Sequence, residues 1–239
     1  MVVLRSLLFA LLQAVVTPPF ALIALLTFRF DPFTRYRIIT TWSRIIIGAA
    51  RAICGIRYRI VGRENIPDHP CIIMSKHQSA WETLAFQVIF PPQALVIKRE
   101  LLRIPFFGWG LAMLSPIAID RGAGTRALRQ IEEQGVARLQ QGFWVIVFPE
   151  GTRIKPGKKG VYQPGGAWLA THSNSMVLPI ALNSGEFWKK NAFLKRPGTI
   201  TISIGPPIRA QGMKPGELNA KVETWIESEM ARIAKLGNL

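Results

Sequence analysis

No charged side chain occurs between Arg5 and Arg29. The residues between them, Ser6 to Phe28, must be covered by lipid or by the rest of the chain. As one helix they are long enough to cross a hydrocarbon layer of about 30 Å. Pro18-Pro19, near the middle, predicts a break or kink, because proline lacks the backbone donor and clashes with the preceding turn. The alternative to a single span is therefore a helical hairpin that dips into one leaflet. The run exceeds the apolar core of a cleaved leader, and Asp31-Pro32 follows it instead of a small-residue cleavage site. Arg29, Arg35, Arg37, Arg44 and Arg51 follow the run while Arg5 alone precedes it. The positive-inside bias then places everything downstream on the cytoplasmic face of an inner membrane.

Residues 34–54 read as a second helix, lying on that membrane. Arg37, Arg44 and Arg51 recur every seven residues on one face, and Ile39, Trp42, Ile46 and Ile53 share roughly the opposite one. Basic on one side and Trp/Ile on the other suits an interfacial helix near anionic headgroups. A helix packed on a soluble domain has the same periodicity. Residues 1–54 are thus expected to be a membrane anchor with an interfacial helix, and residues 55–239 a separate α/β domain.

Beyond Gly55 short apolar runs alternate with helical patterns. Ile56–Val61, Pro70–Met74, Ala94–Ile97, Leu114–Ile119, Phe143–Phe148, Met176–Leu182 and Thr199–Ile204 read as strands. Helices are expected after Ser79, over Thr125–Gln141, over Gly165–Thr171 and over Glu217–Lys235. Phe143–Phe148 is unbroken in its apolarity, as in the middle of a covered sheet. The expectation is a mixed, mostly parallel sheet covered by helices, with the N-terminal helical segment associated with a membrane.

Thirty Lys and Arg against fourteen Asp and Glu give a net charge of +16. Such a surface prefers a polyanion. With 49% hydrophobic residues, the chain points to an anionic membrane surface rather than to nucleic acid. Cys54 and Cys71 are too few for a disulfide framework or a metal cluster, and read as reduced core or membrane-proximal thiols, consistent with a cytosolic face.

Four strand ends carry polar residues: Lys76-His77, Lys98-Arg99, Asp120-Arg121 and Glu150-Gly151-Thr152-Arg153. If the strands are parallel, these ends share one edge of the sheet, where side chains face an open crevice. Histidine exchanges protons near neutral pH. Glu82, five residues after His77 and one helical turn or so along, is placed to fix the ring's tautomer and stabilise its charged form. Arginine forks suit phosphate oxygens. Taken singly, His77 as a loop histidine and Arg121 or Arg153 as partners of Asp120 or Glu150 are equally ordinary readings.

Lys76-His77-Gln78-Ser79-Ala80-Trp81-Glu82, Ile104-Pro105-Phe106-Phe107-Gly108-Trp109 with Ile119-Asp120-Arg121, Phe148-Pro149-Glu150-Gly151-Thr152-Arg153 and Val177-Leu178-Pro179-Ile180-Ala181 occur in that order. Together, over roughly Ile56 to Ile204, they resemble the four blocks of the glycerolipid acyltransferases, most closely the bacterial 1-acyl-sn-glycerol-3-phosphate acyltransferases. The third block is the most specific and the fourth alone is weak. The resemblance implies transfer of a fatty acyl group from acyl-CoA or acyl carrier protein to the 2-hydroxyl of lysophosphatidic acid, giving phosphatidic acid. It implies His77 as the base, with no covalent acyl-enzyme, no metal and no cofactor. It further implies Arg121 as a phosphate-binding residue, Lys98 as a weaker addition, and Glu150, Gly151, Thr152 and Arg153 as acceptor-binding residues. Pro179 would shape the acyl channel or support the sheet. One departure stands out: the family's first block carries aspartate where this chain has Glu82, one methylene longer, which puts the histidine–carboxylate distance in question. Rival expectations are a relative acting on glycerol 3-phosphate or a lyso-ornithine lipid, a thioester hydrolase using Ser75 or Ser79, and a non-catalytic basic membrane adaptor.

Overall fold

The structure, a computed structural model, describes residues 1–236. Three helices lead: α1 (Val2–Leu26), α2 (Pro32–Ile39) and α3 (Thr41–Cys54). There follow β1 (Ile56–Val61), β2 (Ile72–Ser75), α4 (Trp81–Ile89), β3 (Gln93–Lys98), α5 (Phe107–Ala112), β4 (Ile117–Ile119) and α6 (Thr125–Gln140). The chain continues through β5 (Trp144–Val147), α7 (Gly165–His172), β6 (Met176–Leu182), α8 (Ser184–Phe187), β7 (Gly198–Ile204), β8 (Ile208–Arg209) and α9 (Pro215–Leu236).

The strands form one sheet in the order β1-β7-β6-β2-β5-β3-β4, with β8 pairing β6. β6, β2, β5, β3 and β4 are parallel neighbours. β7 runs antiparallel to β6 and carries β1 parallel to itself. The central strands are apolar throughout because both their faces are covered. Ile73, Trp144, Ile146, Leu178 and Ile180 join the core with α3 and α4, while Ile72, Met74, Val145, Val147 and Val177 join the one with α6, α7 and α9. That explains the unbroken runs, since a strand with one wet face alternates instead. Five parallel strands therefore end along one edge, which carries the residues after β2, β3, β4, β5 and β6.

The N-terminal helices differ from the sequence expectation in two ways. α1 is one continuous helix with Pro18 and Pro19 inside it. Both prolines lie on its exposed side, while the two halves are held by the same body. Near its start, Ser6 Oγ accepts the Lys195 N–H at 2.9 Å and Phe9 meets Trp188 edge-on at 5.2 Å. In the middle Trp42 Nε1 donates to Thr17 Oγ1 at 3.2 Å. Near its end Ala21 and Ala24 are buried beside Gly110, so close that an added Cβ there would touch them. Packing along the whole length outweighs the missing backbone donors.

The second difference concerns residues 34–54. The chain breaks at Thr40 between α2 and α3, and the expected interfacial face is covered by protein. Ile39, Ile46, Ile47, Ala50 and Cys54 are all buried, while Arg37, Arg44 and Arg51 are exposed. α3 is thus the amphipathic helix packed on the domain. Its exit at Gly55, with a positive φ of 70° that glycine adopts freely, leads straight into β1 at the point where the sequence reading divides the chain. Phe9 and Ile46 nevertheless share a core cluster with β1, β2 and β5, so the segment and the α/β body bury one interior together.

Candidate active site

β2 ends at Ser75, and the next two residues diverge. Lys76 turns inward and is almost fully buried; His77 stands at the edge with its side chain 13% exposed. The imidazole is fixed on three sides. Its Nδ1 lies 2.9 Å from Glu82 Oε1. Its ring stacks on Phe148, with centroids 4.0 Å apart and planes at 15°. Its backbone N–H donates to Glu150 Oε2 at 2.9 Å, and its carbonyl accepts the Ile154 N–H at 2.7 Å.

Glu82 is in the first turn of α4 and has no exposed surface. A carboxylate so placed is costly unless its oxygens are satisfied. Both are. Oε1 accepts the Gln78 and Ser79 N–H groups, each at 2.7 Å, besides facing His77. Oε2 accepts the hydroxyls of Ser79 and Ser184, each at 2.7 Å. Burial by itself pushes the Glu82 carboxyl up; the His77 contact and the Ser184 and Ser79 hydrogen bonds outweigh it and hold it below its ordinary value. The longer side chain thus reaches the ring without strain on the contact: the loop folds its own N–H groups and one distant hydroxyl around it.

Beside this pair opens a cavity of about 650 Å³. His77, Lys98, Arg121, Gly151, Thr152, Arg153 and Lys190 line its polar part. Phe20, Trp42, Leu84, Leu95, Leu111 and Leu114 add apolar lining. Of the acidic residues near the arginines, Glu100 acts on Arg121 by its charge, while Asp120 and Glu150, which the sequence offered as partners, form no ion pair with Arg121 or Arg153. Asp120 accepts the Gly122 N–H at 3.0 Å, and Glu150 holds Lys76 and the His77 N–H. Arg121 Nη1 donates to the Gly151 carbonyl, which bridges the second and third blocks. Gly151 turns there with φ of 66°, in the left-handed region that disfavours a side chain.

Of the residues nominated from sequence, His77, Glu82, Lys98, Arg121, Gly151, Thr152 and Arg153 come together at this edge. Glu150 does not line the cavity. It is turned inward, with Oε1 2.7 Å from Lys76 Nζ, so it supports the His77 loop rather than meeting an acceptor. Burial pushes its carboxyl above the ordinary value, with the Lys76 contact partly offsetting this. Pro179, in register with Met74 inside the sheet, supports the sheet and leaves the channel to others. The serines of the hydrolase reading are spent: Ser75 Oγ donates to the Lys76 carbonyl, Ser79 Oγ to Glu82, and both are fully buried.

Three contributors escaped sequence reasoning. Phe148 supplies the surface on which the imidazole stacks. Lys190 Nζ donates to Thr152 Oγ1 at 3.2 Å and to the Arg153 carbonyl at 3.4 Å. Ser184 follows β6, the parallel neighbour of β2, so reading every strand end for polar residues would have found it.

The acyltransferase family model matches residues 57–183, a stretch that holds every nominated residue. The chain is 48% identical over 210 residues to the 1-acyl-sn-glycerol-3-phosphate acyltransferase of Pseudomonas aeruginosa, covering 86% of this chain and 82% of that one. It is 30% identical over 175 residues to the enzyme of that name from Borreliella burgdorferi, covering 72% and 70%. A crystal structure of the 1-acyl-sn-glycerophosphate acyltransferase from Thermotoga maritima superposes with a TM-score of 0.78 at 24% identity, over 98% of this chain and 96% of that one, which shows a shared fold. By its sequence match over more than half its length and by this close relative, the chain belongs to the acyltransferase family.

Proposed function

We propose that this protein transfers a fatty acyl group from a thioester donor, acyl-CoA or acyl carrier protein, to the 2-hydroxyl of lysophosphatidic acid, giving phosphatidic acid. The observation that carries this reading is the His77–Glu82 pair at 2.9 Å, on the wall of one cavity lined by both cations and apolar side chains. A single-chain phospholipid anion joins the same two chemistries. The relatives' names support the acceptor.

Nδ1 is engaged by Glu82, which leaves Nε2 as the base. Nε2 takes the proton of the acceptor hydroxyl as its oxygen attacks the thioester carbonyl carbon. The C–O bond forms, the C–S bond breaks, and the departing thiolate takes the proton back from the imidazolium as the free thiol. Glu82 holds the neutral tautomer and stabilises the charged ring in between. Lys98, Arg121, Arg153 and Lys190 provide positive charge for the phosphate. No metal or cofactor takes part in this scheme.

The exposed face of α1 carries Leu4, Leu8, Leu11, Val15 and Leu22, and α5 with the turn before it adds Phe106, Phe107 and Trp109. These surfaces and the net positive charge support residence on the cytoplasmic face of an inner membrane, where the acceptor already lies.

The test is phosphatidic acid formation from lysophosphatidic acid and acyl-CoA. His77→Ala is expected to lower the rate by about 10²–10⁴-fold, the usual worth of a positioned general base, with vesicle binding unchanged. A full rate in His77→Ala overturns the mechanism. Faster turnover of glycerol 3-phosphate or a lyso-ornithine lipid by the wild type overturns the acceptor assignment.

A further inference from the structure

The last helix reaches the catalytic loop. Lys76, next to His77, is 1% exposed, yet its ammonium lies 2.7 Å from Glu150 Oε1 and 2.8 Å from Glu227 Oε1. It also donates to the Lys158 carbonyl at 3.3 Å. Glu227 is on α9, 151 residues along the chain, and is braced by the Tyr162 hydroxyl at 2.8 Å. Glu150 uses its other oxygen on the His77 N–H. One buried cation thus joins three things: the backbone of the proposed base, the far end of the loop that carries Thr152 and Arg153, and a helix outside the matched family segment of residues 57–183.

We propose that Glu227 is a positioning residue for acyl transfer, acting through Lys76 and Glu150 to hold the His77 backbone against the acceptor loop. The physical reason is charge sharing. A buried ammonium between two carboxylates settles between them. With Glu227 neutral, Lys76 is drawn wholly onto Glu150, whose second oxygen is the one that fixes the His77 N–H. Displacement there moves the imidazole relative to the phosphate-binding cations, without removing any group that touches substrate. A misplacement of about 1 Å is enough to cost about 10²-fold in rate.

The inference rests on the acyl-transfer reading, and the experiment separates the two. Full-length wild type, Glu227→Gln, Lys76→Met and the double variant are compared in the phosphatidic acid assay, with thermal melting of each. An inactive wild type sinks the acyl-transfer reading itself. Given an active wild type, Glu227→Gln is expected to lower kcat by about tenfold, with KM for lysophosphatidic acid and for acyl-CoA within about twofold. In the Lys76→Met background, Glu227→Gln is expected to have no further effect, since coupled residues are not additive. Glu223→Gln, which breaks the exposed 2.6 Å pair with Lys159 on the same helix, is expected to leave kcat unchanged. Independent multiplicative effects, an unchanged kcat, a loss confined to KM, or an equal loss in Glu223→Gln overturns the proposal. Should Lys76→Met fail to fold, the split between kcat and KM in Glu227→Gln decides alone.

Discussion

At the scale of single residues, Glu82 stands where the resemblance implies aspartate, and the structure shows how the longer side chain is held. Its carboxylate is enclosed by two backbone N–H groups, two hydroxyls and the imidazole. That enclosure is fitted to a glutamate. Glu82→Asp, although it supplies the residue that the resemblance implies, withdraws the carboxylate by about one C–C bond, ~1.5 Å. The expected outcome is a fall in kcat of about 10- to 100-fold, as for other small misplacements of catalytic groups. Equal or higher activity in the aspartate variant shows that the enclosure does not depend on length. The same site sets an acid limit on stability. A carboxyl held below its ordinary value of 4.5 contributes stability that is fully present above that value and lost as pH falls through the lowered folded value. Glu82→Gln lacks this contribution. Its deficit in melting temperature relative to wild type is therefore expected to be largest near neutral pH and to shrink on acidification below about 4.5. A deficit that stays constant across that range contradicts the assignment.

At the scale of elements, the strands were legible and the N-terminal helices were not. Met176–Leu182 forms as expected, because strands covered on both faces leave unbroken apolar runs that little else produces, whereas the edge strand Ile56–Val61 was legible from its alternation of apolar and basic residues. α1 was not legible because a proline pair breaks a lone helix, while here tertiary packing at Phe9 and at Ala24 holds both halves. α3 was open because an apolar stripe has one appearance whether lipid or protein covers it. The site divides along the same line. His77, Arg121 and Arg153 were legible as residues following strand ends within blocks, and Glu82 by its spacing from His77 at the start of a helix. Glu227 was not, since its partner Lys76 lies 151 residues away and only the docking of α9 brings it in; Ser184, 102 residues from Glu82, follows the end of β6, a strand end that was not read for polar residues. The packing of α1 makes a prediction. Phe20 lines the cavity and Phe9 is in the core, so deleting residues 1–30 is expected to abolish phosphatidic acid formation and lower the melting temperature, rather than release an active soluble fragment. Retained activity in that truncation contradicts the continuity of helix, core and cavity.

At the scale of the whole molecule, two forces of different range would act in the proposed membrane encounter. The net charge of +16 acts over the Debye length, about 10 Å at 0.1 M salt and about 3 Å at 1 M. The exposed face of α1 acts only on contact, with roughly 1.5–3 kcal/mol for each large apolar side chain fully covered. Because α1 touches the α/β body from Ser6 to Ala24, it cannot leave that body to stand across a bilayer without unmaking the core. The face opposite the body, carrying Leu11 and Val15, is the part available to one leaflet. The two forces should separate with salt. Association with vesicles containing anionic lipid is expected to weaken as salt rises toward about 1 M, where charge is screened. It should settle at the level seen with zwitterionic vesicles, which salt does not change. Leu11→Lys with Val15→Lys, both on the exposed side, should remove that residual binding while leaving the low-salt attraction intact. If high salt strips the wild type from both kinds of vesicle, charge alone holds the protein to membranes, and the apolar face of α1 must be covered by something other than lipid.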